Sequence, residues 1–512
     1  MALGKAFSVS LLGLDGTLIE AECDISSNLP NFVLVGLPDA SLNEAVPRVR
    51  SACSNAGVPL PARRITVNLS PAAIPKFGSG FDLAIALSAL SAAGEVPSDS
   101  VSAWVHLGEL GLDSSLRPIR GVLPALAAAK KLGRNRFIVP EANLSEAQLV
   151  DGIEVIGATC LADVLEHHGR VGDKLKRPKP SSQRGFLAQP VTAAALDCQD
   201  VVGQQLGLQA LAVAAAGSHH MLLVGPPGAG KTMLAERLPS ILPDLSIDQA
   251  LETTAVYSIA NASIGQQQLM TRPPFVAPHH SASMSSLVGG GLGSPRPGAI
   301  SLAHNGVLFL DEAPEFQVSA LESLRQPLES GRVSIARSKG TAAFPARFQL
   351  VLAANPCPCG RAGTSACSCS SAQLVRYRNK LSGPLLDRVD IQLRVSAPKP
   401  GLLISSTETP ITSCDLRSRV EVAREAARVR LRGSGFSTNS QVSGAWLRGK
   451  AKLPVKLTGS LDRALERELI SMRGYDRCLR LSWTLADLAG HPTPDAEDVA
   501  MAMYLRGVDS LG

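Results

Sequence analysis

The chain has 512 residues, 45% of them hydrophobic, 18% charged and only 4% aromatic, with a formal net charge of +6. That apolar fraction excludes a disordered or collagenous chain, and 10 cysteines spread over this length exclude a small disulfide-stapled scaffold. The length suits roughly three domains; no apolar run reaches the ~18 residues of a membrane span, and no signal-peptide pattern opens the chain. A cytoplasmic protein with no membrane partner is expected. Its mild positive charge permits a polyanionic partner without demanding one.

In chain order, residues 1–170 mix short β-branched runs (Ile65–Leu69, Phe137–Val139) with Ala/Leu-rich helical runs, the pattern of an α+β domain. The basic, Pro-rich stretch Lys174–Pro190 reads as a linker, and Ser396–Thr412 as a second, weaker one. The expected division is a domain over 1–170, a linker over 171–190, a core over 191–395, and a linker plus helical tail over 396–512. Helical spacing in the tail recurs in Leu416–Leu431, Leu461–Met472, Cys478–Ala489 and Asp495–Leu505, with Asp495 and Asp498 marking a helix start.

The core carries the chemistry. Gly225, Pro226, Pro227, Gly228, Ala229, Gly230, Lys231 and Thr232 spell GPPGAGKT between a strand-like run (Met221–Val224) and a helix-like one (Met233–Leu238). In such a loop the backbone N–H groups curl around phosphate oxygens at a helix N-terminus. Lys231 would reach the β- and γ-phosphates and the Thr232 hydroxyl would hold Mg2+. Val307–Glu312 (VLFLDE) is a buried strand ending in two carboxylates. Asp311 can hold Mg2+ through water, and Glu312 can polarise an attacking water. A third buried strand, Phe348–Ala354, ends at Asn355, which there could hydrogen-bond the γ-phosphate or the water. In Leu385–Asp390 (LLDRVD), Arg388 can serve as an arginine finger on a neighbouring subunit or as an ordinary surface ion-pair residue.

Between Asn355 and Arg388 sit Cys357, Cys359, Cys367 and Cys369, spaced C-x-C…C-x-C. Four thiols in a short polar loop suit tetrahedral Zn2+, with free thiols or a redox-sensitive pair as alternatives. His279, His280 and His304 lack a spaced acidic partner and suit loop-structural or interface roles.

The order DVVGQ (Asp200–Gln204), GPPGAGKT, LFLDE, LAANP and LLDRVD resembles the magnesium-chelatase-like AAA+ ATPases. With APHHSAS (Ala277–Ser283) and ISLAHNG (Ile300–Gly306), the similarity is strongest to the YifB/ComM group of competence-linked bacterial ATPases and covers nearly the whole chain. The resemblance implies a multidomain α/β protein: a Lon-protease-like α+β domain, an AAA+ P-loop core and a C-terminal helical lid. It implies a homo-oligomeric ring, expected as a hexamer, with ATP between subunits. It further implies that Val201, Val202 and Gln204 lie near the adenine, that Asn355 is sensor 1, that Arg388 is the finger, and that Arg473 is sensor 2, with Arg477 and Arg480 as rivals.

The Lon-like domain is expected to be proteolytically dead. Lon proteases place the nucleophile in Pro-Lys-Asp-Gly-Pro-Ser-Ala-Gly and the base in Gly-Gly-Leu-Lys. Here Gly80 falls at the serine's position and Leu123 at the lysine's, and a serine hydroxyl such as that of Ser79 is a weak nucleophile without a base. Arg332–Phe348 alternates as a β-hairpin does. Related ring helicases point such a hairpin into the pore, which implies DNA contact by Arg337 and Lys339. The function expected is a DNA helicase or branch-migration translocase acting on incoming DNA. The alternatives are a metal-chelatase ATPase subunit and an ATP-driven protein remodeller.

Overall fold

The computed structural model of the protein describes residues 3–36, 42, 44–171, 175–178, 196–260, 268–291, 295–337, 340–362, 365–397 and 410–508. Most of both expected linkers, and Lys339 of the hairpin, lie outside the described residues.

The N-terminal sheet is nucleated by the hairpin of β1 (Gly4–Leu12) and β2 (Asp15–Ser26), paired in register from Leu12↔Asp15 to Gly4↔Cys23. It is completed by β3 (Asn31–Val35), β4 (Arg64–Ser70), β5 (Val105–His106), β8 (Arg136–Pro140) and β9 (Glu154–Ala158) in the order β3-β4-β2-β1-β5-β8-β9; β6 (Glu109–Leu110) and β7 (Leu116–Arg117) form a separate ribbon. The expected strands at Ile65–Leu69 and Phe137–Val139 are therefore present. The apolar helix Asp82–Ala92 is buried along nearly its whole length against β1 and β2. It approaches so closely that a Cβ on Gly4 would lie 2.0 Å from the Ser88 carbonyl oxygen, which only glycine avoids.

The central sheet is all parallel. Along the chain come β10 (Met221–Val224), β11 (Phe275–Val276), the β12–β13 ribbon (Gly289–Gly290 with Arg296–Pro297), β14 (Val307–Leu310), the antiparallel β15–β16 hairpin (Arg332–Arg337 with Gly340–Pro345), β17 (Gln349–Ala354) and β18 (Ile391–Arg394). The five sheet strands are ordered β11-β14-β17-β10-β18, so the first in sequence lies between the last two. In an open parallel sheet a ligand crevice opens at the carboxyl ends of the strands around such a switch point. Helices Gln205–Gly217 and Lys231–Ile241 cover the sheet and share one apolar core with β10, β17 and β18.

The tail is helical, with Ser413–Arg430, Val455–Glu466, Met472–Ala489 and Ala496–Leu505 as its longer helices. One expected helix is displaced: Leu461–Met472 reads as continuous, yet the chain breaks after Glu466. The leucine spacing runs on to Leu469, but Glu468 takes a left-handed φ of 57° and Ser471 caps the next helix, its hydroxyl accepting from the Gly474 N–H at 3.2 Å. Asp495 does open the last helix, in a capping box with Asp498.

Two joints hold the parts together. At the first, the Gly121 N–H donates to the Ser258 carbonyl at 3.2 Å, and the Ser258 hydroxyl donates to the buried carboxylate of Glu146. Leu11, Leu12 and Leu14 from the β1–β2 turn pack on the core cluster that contains the β15–β16 hairpin. At the second, buried Asp390 accepts from Arg477 of the Met472–Ala489 helix and lies 3.0 Å from His219 Nδ1, while Arg506 donates to the Val389 carbonyl. Burial alone would raise the Asp390 pKa; the charges of Arg477 and His219 instead hold it well below the ordinary carboxylate range.

Candidate nucleotide-binding site

The phosphate loop follows β10 directly, and its backbone explains its composition. Gly228 and Gly230 have φ of 75° and 86°, and a Cβ on Gly225 would lie 2.2 Å from the Val395 carbonyl oxygen. Lys231 begins the following helix, largely buried, with its ammonium donating to the carbonyls of Gly225 (2.8 Å) and Pro226 (3.0 Å) and to Asn355 Oδ1 (3.1 Å). Burial lowers its pKa, while the carboxylates of Asp311 and Glu312 pull it back up.

The parallel register brings the other strand ends alongside. Leu310 of β14 pairs with Leu352 of β17, and Val224 of β10 with Ala354, so Asp311, Asn355 and the loop emerge at one edge. The Thr232 hydroxyl donates to Asp311 Oδ2 at 2.7 Å. A hydroxyl beside a carboxylate is an oxygen donor set suited to Mg2+, so these residues fit the ion. Glu312 is half exposed and takes a left-handed φ of 50°, a conformation costing ~1 kcal/mol or more for a non-glycine residue and characteristic of functional sites.

Two neighbours of this set escape sequence reasoning. His280 Nδ1 lies 3.6 Å from Glu312 Oε2, and the buried Tyr377 hydroxyl has its pKa raised to about 12 by burial, against a smaller lowering effect of the nearby Asn355 backbone. His280 sits in the APHHSAS motif, so its sequence signal existed but had no visible partner. Nothing in the sequence marks Tyr377. His304 is buried, with Nδ1 accepting from the Arg347 N–H at 3.0 Å and Nε2 3.0 Å from Glu252, a structural role as expected.

At the opposite wall, Val201 is buried in the core, Val202 is exposed, and Gln204 donates to the carbonyls of Ala229 (3.0 Å) and Ser396 (2.6 Å). Gln204 thus ties the phosphate loop to the segment after β18. Arg388 is not drawn into this set. Its guanidinium donates to Glu329 and, at 2.6 Å, to the Pro384 carbonyl. Among the lid arginines, Arg477 is occupied by Asp390 and Arg480 by the Val442 carbonyl at 2.7 Å. Arg473 is 73% exposed, with Asp387 only at 3.7 Å.

The four cysteines converge: one sulfur of each lies within 4.8 Å of the others, with Cys357 and Cys359 3.3 Å apart. Hydrogen bonds, led by the Arg361 backbone N–H, lower the Cys359 pKa to about 6, whereas Cys369, despite a backbone hydrogen bond that lowers it, is raised to about 12 by its side-chain contact with Cys359. The loop leans on the nucleotide site, since a Cβ on Gly360 would lie 2.6 Å from Pro227 Cδ. In the N-terminal domain the Ser79 hydroxyl donates to Glu109, buried Lys76 donates to the Pro71 carbonyl, and Leu123 is buried. No Ser–Lys hydrogen bond occurs among these residues. Arg337 is exposed at the end of β15.

Comparison with known proteins matches three parts of the chain to one family. The family described as "Magnesium chelatase, subunit ChlI" matches residues 197–402, "Subunit ChlI of Mg-chelatase" matches 21–143, and "Magnesium chelatase, subunit ChlI C-terminal" matches 410–506. An uncharacterized protein of Mycobacterium tuberculosis is 51% identical over 506 residues, 99% of each chain. Competence protein ComM of Haemophilus influenzae is 41% identical over 516 residues, covering 100% of this chain and 99% of its own. Lon protease 2 of Bacillus subtilis is 34% identical over 117 residues, 23% of this chain and 20% of its own.

Proposed function

The chain belongs to the magnesium-chelatase-like AAA+ family, in the group that includes ComM, and on that premise we propose that it is an ATP-hydrolysing ring motor acting on DNA. The observation that carries ATP hydrolysis is the hydrogen-bonded set Lys231–Asn355 and Thr232–Asp311 at the ends of three adjacent parallel strands. Backbone N–H groups of Gly228–Lys231 would cradle phosphate oxygens, and Lys231 would exchange its carbonyl partners for the β- and γ-phosphates. Thr232 and Asp311 would hold Mg2+, which supplies neutralisation of charge on those phosphates. Glu312 orients and polarises the attacking water, and Asn355, bonded to Lys231, reads the γ-phosphate.

Arg388 and Arg473 act in this reading on nucleotide bound at a subunit boundary. Arg388 is held by Glu329 away from its own chain's set, which supports action in trans and hence a ring, with a hexamer as the assembly proposed. The four-cysteine loop is proposed to hold one structural Zn2+. The competence protein ComM among its relatives, and the exposed Arg337 on the β15–β16 hairpin, support DNA as the track.

The test is the ATPase rate of the purified protein alone and with single-stranded, duplex or branched DNA. Stimulation by DNA is expected. A rate indifferent to every form would remove DNA as the track while leaving the ATPase standing.

A further inference from the structure

A second site lies beside the hairpin. A cleft of ≈ 300 Å3 is floored by the β12–β13 ribbon and walled by Ser285, Ser286 and Arg296. Its floor is bare because the ribbon is too tight for side chains: a Cβ on Gly289 would lie 2.4 Å from the Arg296 carbonyl oxygen, and one on Gly298 2.4 Å from the Gly289 nitrogen. Glycine at such a position lets another backbone approach closely.

Three arginines from three separate segments gather here. Arg296 stands on the ribbon itself. Arg337, at the end of β15, reaches over the floor, its Nη2 3.2 Å from where a Gly290 Cβ would stand. Arg120 comes from the N-terminal domain, and its pKa is lowered first by burial and then by repulsion from Arg296. Among the described residues none of the three is paired with a carboxylate. By contrast Arg48, Arg388, Arg430 and Arg477 elsewhere in the chain are paired with carboxylates. Like charges collected without counter-charges disfavour the folded protein unless an anion joins them.

All three arginines are exposed; Arg296 lines the cleft and Arg337 overhangs its Gly290 floor, with Arg120 close enough to Arg296 to feel its charge. A small anion is gripped by enclosed, convergent donors, whereas exposed cations spread over several segments suit a ligand with repeated charges. Arg120 is held there by its neighbour: Gly121, with φ of 75°, bonds Ser258 of the core, so the stretch aligned with the Lon base serves as a joint.

We infer that this cleft is a binding site for the phosphodiester backbone of single-stranded DNA, with Arg120, Arg296 and Arg337 each meeting a phosphate. It rests on the DNA-motor reading and makes the N-terminal domain part of the track. Contact of this kind is sequence-independent and sensitive to salt.

The test is binding of a fluorescent oligo-dT to the full-length protein across a salt series, comparing the parent with Arg120→Ala/Arg296→Ala and with Arg296→Lys. An unchanged melting temperature establishes that the variants fold. Loss of two phosphate contacts should weaken binding about tenfold or more and flatten the log–log salt slope by roughly 1.4, at ~0.7 per single-strand phosphate. Arg296→Lys, keeping the charge, should retain the parent's slope. A double variant with the parent's affinity and slope would overturn this site while leaving the DNA reading intact. A parent that binds no DNA would overturn both.

Discussion

Glu312 sits where chemistry and strain coincide. Its left-handed backbone and half-exposed carboxylate follow β14 directly, beside His280. Glu312→Gln keeps the shape and removes the base, so nucleotide binding should persist while turnover falls about 10²- to 10⁴-fold, measured by ATPase assay and nucleotide titration. Lys231→Ala should instead weaken nucleotide binding itself. Among the lid arginines the structure separates two roles that helical spacing leaves together. Arg473→Ala, on an exposed side chain, should lower ATP turnover with little change in melting temperature. Arg477→Ala strands buried Asp390 and should cost ~3–5 kcal/mol of stability by denaturant titration. Since the folded Asp390 pKa is depressed, its contribution is full above the ordinary aspartate value of about 3.9 and fades as pH falls through the lower folded value. Acid release of the lid is therefore expected only below about pH 4, and Asp390→Asn should remove that dependence.

At the scale of elements, the four-cysteine loop and the β15–β16 hairpin both project from the sheet strands that form the nucleotide site. Zinc in the loop would fix Gly360 against Pro227 and seat the Ser371–Arg378 helix, whose Tyr377 lies near Asn355. Purified protein should hold about one zinc per chain, and Cys367→Ser with Cys369→Ser should release it, checked by metal analysis and thiol titration. The hairpin is not free on both faces: Val333, Ile335, Ala342 and Phe344 are buried, and a Cβ on Gly13 would lie 2.4 Å from the Ala343 carbonyl oxygen. Arg337→Ala with Lys339→Ala should weaken DNA binding and flatten its salt dependence, whereas a variant that binds and unwinds branched DNA like the parent would clear the hairpin of that role.

For the whole molecule, the joints matter as much as the domains. Arg477 and Arg506 from the tail grip the loop that carries Arg388, so lid rotation would move Arg388. If Arg388 acts in trans, mixing Arg388→Ala subunits with Glu312→Gln subunits should recover part of the ATPase activity, because some boundaries then pair an intact finger with an intact base. No recovery in verified mixed rings would place Arg388 outside that role.

Much of this was legible in the chain because it depends on local physics. Apolar runs fix Met221–Val224 and Val307–Leu310 as buried strands, glycines at left-handed positions define the phosphate loop, and Asp495 starts a helix whatever packs on it. Substitution at Gly80 and Leu123 likewise removes a Ser–Lys dyad by identity alone. The tertiary structure decided what depends on distant partners. Periodicity carried the helix through Glu468, where the folded chain instead turns left-handed and Ser471 opens a new helix. Three lid arginines look alike until Asp390 and Val442 claim two of them. Tyr377 and His280 become neighbours of the site only when strand register brings Asn355 and Glu312 beside them. The gathering of Arg120, Arg296 and Arg337 spans more than 200 positions of sequence, a separation that no local pattern encodes and that only the docking of the N-terminal domain on the core closes.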